Sequence, residues 1–204
     1  APQLILDLRD NPGGDNSFSD PLIAWFADRP FRFSSTFKVR VSPQSTAANQ
    51  ARLEANPEGA ESVSELYAKL YASTENGQTV LFPIPEVQPR SAPRYDGGVY
   101  VLVNRYSFSN AVSAAALIQD YDFGVVMGEQ TVDMATTYGA MERFTLPNTQ
   151  IVVTYPKALI VRPNGNESAH PVDPDIRLPA PRIRGAIDIM LQAALEHIQS
   201  RQTD

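Results

Sequence analysis

The chain has 204 residues, 43% of them hydrophobic, and a formal net charge of −6, so it can form a folded domain with its own core. Only three lysines accompany fourteen arginines, without a basic cluster, and we expect no nucleic-acid partner. The lack of cysteine excludes disulfides and thiol chemistry, and no apolar run of the sequence is long enough to cross a membrane.

The first predicted element is a buried strand over Gln3–Leu8. Residues 9–14 (RDNPGG) follow it directly and are typical of a sharp turn. Because the chain enters a core strand within its first residues, without a targeting signal, we expect the natural protein to contain further domains upstream.

A helix is expected over Asp20–Phe26, because Asp20 can act as its N-cap and Pro21 suits the first helical position. Alternating apolar and polar residues over Phe31–Val41 then predict a strand.

The composition changes over residues 42–98, where six prolines surround one predicted helix, Ser62–Tyr71. We interpret this segment as an insertion that could act as a lid. The helix carries an apolar stripe at helical spacing, which we expect to pack on the core rather than bind substrate. The stripe consists of Val63, Leu66, Tyr67 and Leu70.

The second half of the chain opens with a predicted buried strand, Val99–Asn104, a turn over 105–109, and a helix of small apolar residues, Ala111–Gln119. A strand, a sharp turn and a helix in this order are a favourable setting for a nucleophile. The remaining predicted elements are strands at Val125–Gly128 and Ala158–Val161, a hairpin of Tyr138–Leu146 with Gln150–Tyr155, and an amphipathic helix at Arg184–Gln199.

Two blocks, LILDLRDNPGG and VYVLVNRYSFSNAVSAAALIQDYDFGVVMGEQT, resemble the carboxy-terminal processing (tail-specific) and tricorn-core serine peptidases. The resemblance extends from Gln3 to Pro174, apart from 42–98. It implies an α/β fold, a crotonase/ClpP-like spiral of strand-strand-helix units, with residues 1–204 forming one peptidase core domain. It also implies a protein or peptide substrate, no cofactor, and a periplasmic, cell-surface or secreted location.

The resemblance places the nucleophilic serine at Ser109. A serine at a helix N-terminus lies beside unpaired backbone amides, where negative charge is favoured. The amide of Asn110 and one from Gly13 or Gly14 could therefore form an oxyanion hole, since glycine permits close approach. The alternative is that Ser107 and Ser109 only cap the helix.

Most members of this family activate the serine with a lysine, but the corresponding position here is Met134, which cannot accept a proton. A Ser-Lys dyad of the usual kind is therefore excluded. Lys157, the only lysine in the second half of the chain, lies in a strand-like context where we expect it to be solvated.

The tricorn-core branch implies a different base, a histidine from an earlier domain that is supported by a glutamate after the serine. Glu167 follows Ser109 by 58 residues and suits that role, although an ordinary loop carboxylate explains it equally well. His197 is expected at the surface. His170 is a candidate base if the histidine does not come from upstream.

These residues predict a serine endopeptidase of the Ser-His-Glu type with its histidine upstream of this chain. One alternative is an inactive peptide-binding module that retains the fold, and another is a hydrolase that uses His170. Asp10 and Asp133 could position substrate, but turn formation accounts for both. No spacing of histidine or acidic residues indicates a metal site.

Overall fold

A computed structural model describes residues 1–55, 63–181 and 185–201. In chain order the elements are β1 (Gln3–Asp7), α1 (Asn16–Ile23), β2 (Thr36–Arg40), α2 (Pro43–Ala55), α3 (Val63–Ala72), β3 (Thr79–Leu81), β4 (Gly98–Val103), α4 (Asn110–Asp120), β5 (Val125–Gly128), β6 (Thr137–Thr145), β7 (Val152–Val161), β8 (Ile176–Arg177) and α5 (Ile189–Ser200).

The chain divides into two compact units. The first contains Ala1–Ser35, Pro85–Thr136 and Arg162–Asp204, and the second contains Thr36–Ile84 and Thr137–Val161. The second unit therefore differs from the insertion that we expected over 42–98, because it also includes β2 and the β6–β7 hairpin. The interpretation of the whole chain as one peptidase domain stays a prediction.

The first unit is built on a parallel sheet with the strand order β1-β4-β5-β8, which confirms the predicted α/β class. The central strand β4 is buried on both faces. Its side chains Val99, Val101 and Val103 pack in the core that includes α1 and α4. Tyr100 and Leu102 face the opposite core, which includes Ala194 and Ile198 of α5. This burial explains why β4 reads as a continuous apolar run.

Helix α1 begins earlier than its sequence predicts. Its N-cap is Asp15, whose side chain accepts a hydrogen bond from the amide of Ser17, so the prediction of Asp20 as the cap was wrong. Asp20 instead lies buried within the helix and accepts a 2.8 Å hydrogen bond from Asn16. Burial raises the pKa of the Asp20 carboxyl. Pro21 is consequently inside the helix rather than at its first position.

Helix α5 and the predicted strands differ from expectation only at their limits. The strand predicted over Phe31–Val41 is restricted to β2, because Phe31 forms an isolated bridge with Val87. The strand predicted at Ala158–Val161 is the second half of β7. Helix α5 begins at Ile189, and Arg184, the predicted start, lies outside the described residues. No helix of the described residues is long and apolar enough to cross a membrane.

The second unit is built on an antiparallel sheet with the order β3-β2-β7-β6. Helix α2 was not predicted, because two of the side chains that it buries are polar. Ser45 shares hydrogen bonds with Ser42 and Tyr155, and Asn49 donates to the carbonyl of Ser64. A helix that buries hydrogen-bonded polar groups leaves no apolar stripe in the sequence.

Helix α3 buries only part of the predicted stripe, because Tyr67 belongs to the stripe and Tyr71 does not. Tyr67 and Tyr71 are its buried residues, whereas Val63 and Leu66 are exposed. Tyr67 stacks on Tyr71 and on Phe82. The expected start at Ser62 lies outside the described residues.

Lys157 is buried, so the prediction that it is solvated was wrong. Its ammonium group donates to Glu142 at 2.7 Å and lies 3.9 Å from the centre of the Tyr67 ring. Arg52 binds the same carboxylate through two hydrogen bonds of 2.8 and 2.6 Å. The buried Glu142 carboxylate therefore has two cationic partners, the buried Lys157 and the exposed Arg52.

Candidate active site

Three loops leave the carboxyl ends of the neighbouring parallel strands β1, β4 and β5. Such an edge is the usual place for a ligand site in a parallel sheet. Two of the loops are joined by a hydrogen bond from the Phe108 amide to the Asn11 carbonyl, at 3.0 Å. Arg105 forms an ion pair with Glu129 and so joins the second loop to the third. The sequence blocks singled out above are thus brought together in the first unit.

Ser107 and Asn104 form the buried frame of the second loop. The Ser107 hydroxyl donates to the carbonyl of Leu8 at 2.8 Å and accepts from the Asn104 amide at 3.0 Å. The Asn104 side chain accepts from the amides of Asp10 and Tyr106. Ser107 therefore has a structural role, and it does not cap α4 with its side chain.

Ser109 occupies the N-cap position of α4 with an unusual backbone, φ 54° and ψ −123°. Its side chain makes no capping hydrogen bond, so the alternative in which Ser109 caps the helix is wrong. The residue is exposed. A serine with a positive φ costs about 1–3 kcal/mol and persists only where its surroundings enforce it, which is typical of functional sites.

Gly13 packs directly against Ser109. It has a φ of +89°, and a Cβ atom at this position would lie 2.6 Å from the Ser109 Cβ and 2.9 Å from the Asn110 nitrogen. Only glycine both adopts this positive φ without strain and leaves room for the Ser109 Cβ atom. Its amide donates to the Asn11 side chain at 2.8 Å. Among the described residues, the amides of Gly14 and Asn110 have no acceptor.

Asp133 in the third loop binds the backbone of Ser109. Its Oδ2 atom accepts a 2.6 Å hydrogen bond from the Ser109 amide, and its Oδ1 atom accepts from the Met134 amide at 2.9 Å. Met134, at the position of the family's lysine, forms an isolated bridge with Pro171. The segment 131–135 is therefore bonded to Ser109 and also to the stretch that follows Glu167.

His170 is joined to that segment through its backbone, since its carbonyl accepts from the Ala135 amide at 3.0 Å. Its ring Nε2 lies 2.8 Å from Oδ2 of Asp173, and 54% of its side chain is exposed. The hydrogen bond with His170 is the largest cause of a lowered pKa at Asp173, and Gln130 and Arg177 add to this effect. The pairing of His170 with Asp173 was not foreseen.

Glu167 lies in an exposed loop. The loop is anchored by a 2.6 Å hydrogen bond from Thr136 to the Asn166 carbonyl and by two bonds from Asn164 to Asp120. His197 is half-buried in α5, and its Nε2 has no partner among the described residues. The roles proposed for Glu167, His170 and the oxyanion amides stay predictions.

Sequence reasoning missed Asp133 as a partner of Ser109 and Asp173 as a partner of His170. The first contact spans 24 residues and depends on how two loops meet, so no local pattern reports it. The second joins residues three apart, and the short spacing of His and Asp was an available signal. Within the described ranges, no three His, Cys, Asp or Glu residues form a group that could hold a metal ion.

The sequence matches the profile of peptidase family S41 over residues 1–178. The comparison with curated proteins gave no match. Among solved structures, the crystal structure of mature CPAF is similar with a TM-score of 0.63 and 20% identity, over 98% of this chain and 42% of that one. A putative peptidase from Parabacteroides merdae is similar with a TM-score of 0.63 and 19% identity, over 97% of this chain and 52% of that one.

The photosystem II D1 C-terminal processing protease is a third similar structure, with a TM-score of 0.53 and 19% identity. The match covers 87% of this chain and 35% of that one. At these identities the likenesses show a shared fold. The chain spans about half or less of the length of each of these three proteins.

Proposed function

Because the chain belongs to peptidase family S41, we propose that it carries the nucleophile of a serine endopeptidase that hydrolyses proteins or peptides through an acyl-enzyme. The observation that carries this proposal is the exposed Ser109 with its positive φ at the start of α4. Its hydroxyl makes no hydrogen bond to any described residue, so it is available to a substrate.

In the proposed reaction, the Ser109 oxygen attacks the scissile carbonyl while a histidine takes its proton. The carbonyl oxygen becomes an oxyanion and then returns its electrons, so that the amine leaves with the proton from the histidine. Water, deprotonated by the same histidine, hydrolyses the resulting ester and restores the serine. The carboxylate of Glu167 would support the histidine, as the family resemblance implies.

The oxyanion would be held by two backbone amides. Asn110 supplies one at the first position of α4, where amides are unpaired and the helix dipole favours negative charge. For the second, Gly14 is favoured over Gly13, because the Gly13 amide already donates to Asn11. Gly13 would instead provide the close approach that brings this loop to the serine.

We place the general base outside these 204 residues. Two observations support this placement: Met134 stands at the position of the family's lysine, and among the described residues His170 makes no hydrogen bond to Ser109. In the rival in which His170 is the base, Asp173 holds its Nε2 atom, so Nδ1 would accept the proton. The second rival is an inactive peptide-binding module, and the methionine in place of lysine supports it as well.

A serine-reactive fluorophosphonate separates these readings. We expect mass spectrometry to find the label on Ser109 in the longer natural protein but not in the 204-residue chain, and Ser109→Ala to abolish it. Ser113→Ala is the matched control one turn along α4. If the 204-residue chain is labelled and His170→Ala abolishes that labelling, His170 is supported as the base. Absence of labelling in both forms would contradict the peptidase proposal and favour the binding module.

A further inference from the structure

Asp133 is the acceptor that the structure gives to the Ser109 amide. The 2.6 Å distance is typical of a hydrogen bond strengthened by the charge of a carboxylate. The other carboxylate oxygen accepts from the Met134 amide, and the Asp133 carbonyl accepts from the Thr131 hydroxyl at 2.9 Å. These two hydrogen bonds hold the backbone and the carboxylate of Asp133 in place, independently of the contact with Ser109.

The contact holds the nitrogen end of the peptide between Phe108 and Ser109, whose carbonyl end accepts from the Ala111 amide at 3.1 Å. The carbonyl of Ser109 is held by the amides of Val112 and Ser113 in α4, and the preceding amide, of Phe108, is bonded to Asn11. The Ser109 amide lies between these two anchored peptides. A positive φ at serine is disfavoured, so without the Asp133 acceptor the hydrogen bond from Ala111 alone would hold this peptide less firmly in its strained conformation.

We propose that Asp133 is a positioning residue, whose carboxylate holds the Ser109 backbone in the conformation that presents the hydroxyl to substrate. This inference rests on the proposed function. Asp133 bonds to the Ser109 amide rather than to the hydroxyl, so it acts through the backbone. The contact also explains how the loop after β5 serves the nucleophile although it contains no catalytic lysine.

The test uses the full-length natural protein and follows the rate at which the fluorophosphonate labels Ser109. Asp133→Ala removes the acceptor, and we expect the rate constant to fall about 10- to 100-fold while labelling still reaches completion. Asp133→Asn keeps a neutral acceptor, so its loss should stay below about 10-fold. Where a peptide substrate is cleaved, kcat should fall with little change in KM.

Asp96 provides the matched control, because it is an exposed aspartate before β4, at the opposite end of that strand from Ser109. Asp96→Ala and Asp96→Asn make the same changes of charge and should label at the parental rate. A folding defect would lower the fraction of protein that becomes labelled, whereas a positioning defect lowers the rate. Circular dichroism melting of each variant provides a second check on folding.

Amide hydrogen exchange reports on the contact without requiring activity. In the Asp133→Ala variant the Ser109 amide should exchange at least about 10-fold faster than in the parent, and in the Asp96→Ala variant it should be unchanged. Equal exchange in parent and Asp133→Ala overturns the positioning role. If the parent is labelled and Asp133→Ala is labelled at the same rate, the positioning role is also overturned, but the proposed function stands. Failure to label the parent refutes the proposed function, and this inference with it.

Discussion

Replacement of Glu142 by glutamine tests the buried charge cluster of the second unit. Lys157 and Glu142 have side-chain exposures of only 6% each, whereas the Arg52 side chain is 43% exposed. After Glu142→Gln, Arg52 can turn to solvent, but the Lys157 ammonium loses its acidic partner in the interior. Removing one member of a buried ion pair costs about 3–5 kcal/mol of unfolding free energy.

The same lysine sets an upper limit on that loss. Lys157 can shed its proton, and doing so at pH 7 from an ordinary pKa of about 10.4 costs about 4.6 kcal/mol. Burial already lowers the pKa of Lys157 in the parent, and the hydrogen bond that Lys157 donates to Glu142 partly offsets this effect. In Glu142→Gln the offset is absent, so the pKa of Lys157 falls further.

The penalty should therefore depend on pH in a defined direction. A lysine whose pKa is lower in the folded state than in the unfolded state destabilises the fold below the folded pKa. The penalty fades as the pH rises toward the unfolded value. At pH 10 the cost of neutralising Lys157 is about 0.5 kcal/mol. Burial raises the pKa of Tyr67, and that of Tyr71 to about 12, so both phenols stay protonated in the folded state over this range, and their ionisation in the unfolded state is common to parent and variant.

Urea unfolding of parent and Glu142→Gln at pH 7, 8.5 and 10, followed by circular dichroism, measures the difference directly. Glu54→Gln is the matched control, because Glu54 is exposed in α2 of the same unit. The double variant Glu142→Gln with Lys157→Met should recover most of the loss. A difference below about 1 kcal/mol at pH 7, or one that stays constant to pH 10, would refute this account of the cluster.

Three further changes test the site and the acid stability. Gly13→Ala should lower the melting temperature and suppress labelling of Ser109, because the new Cβ atom would lie 2.6 Å from the Ser109 Cβ atom. Gly14→Ala is the control and should leave the melting temperature unchanged, since no atom lies within 4 Å of its new Cβ atom. Ser107→Ala should cost about 1–3 kcal/mol in urea unfolding, because it removes the acceptor of the Asn104 amide and the shorter of two hydrogen bonds to the Leu8 carbonyl. Parental stability would contradict that role. Burial raises the pKa of Glu142, but hydrogen bonds from Arg52 and Lys157 outweigh it and leave the pKa below its ordinary value, so this carboxylate should stabilise the fold at neutral pH and lose that contribution as the pH falls through its folded pKa. Acid unfolding of the parent should accordingly be steeper than that of Glu142→Gln, and equal profiles would contradict the assignment.

The elements around Ser109 were predictable because their signals are local. Apolar runs that end in a turn predict the buried strands β1 and β4, and a stretch of small apolar residues after such a turn predicts α4. The β6–β7 hairpin was found for the same reason. The position of α1 was misjudged because Asp15 and Asp20 are both acceptable caps in sequence, and only packing decides between them.

The contacts that distant segments make were not predictable from a single sequence. Nothing around Lys157 indicates that Glu142 pairs with it or that Arg52 shares the same carboxylate, since these residues come from different elements of the second unit. Helix α2 was hidden because its buried Ser45 and Asn49 look like surface residues. The Asp133 contact with Ser109 is of the same kind, because its partner lies across two loops.

The double-sided burial of β4 limits how the length of this strand can change. Its odd and even residues belong to different cores, so insertion or deletion of one residue would exchange the two sets of side chains. The same change would shift every later residue by about 3.3 Å along the strand and carry Ser109 away from Gly13. Proteins that keep this site are therefore expected to vary in length elsewhere, and engineered insertions should avoid the six residues from Gly98 to Val103.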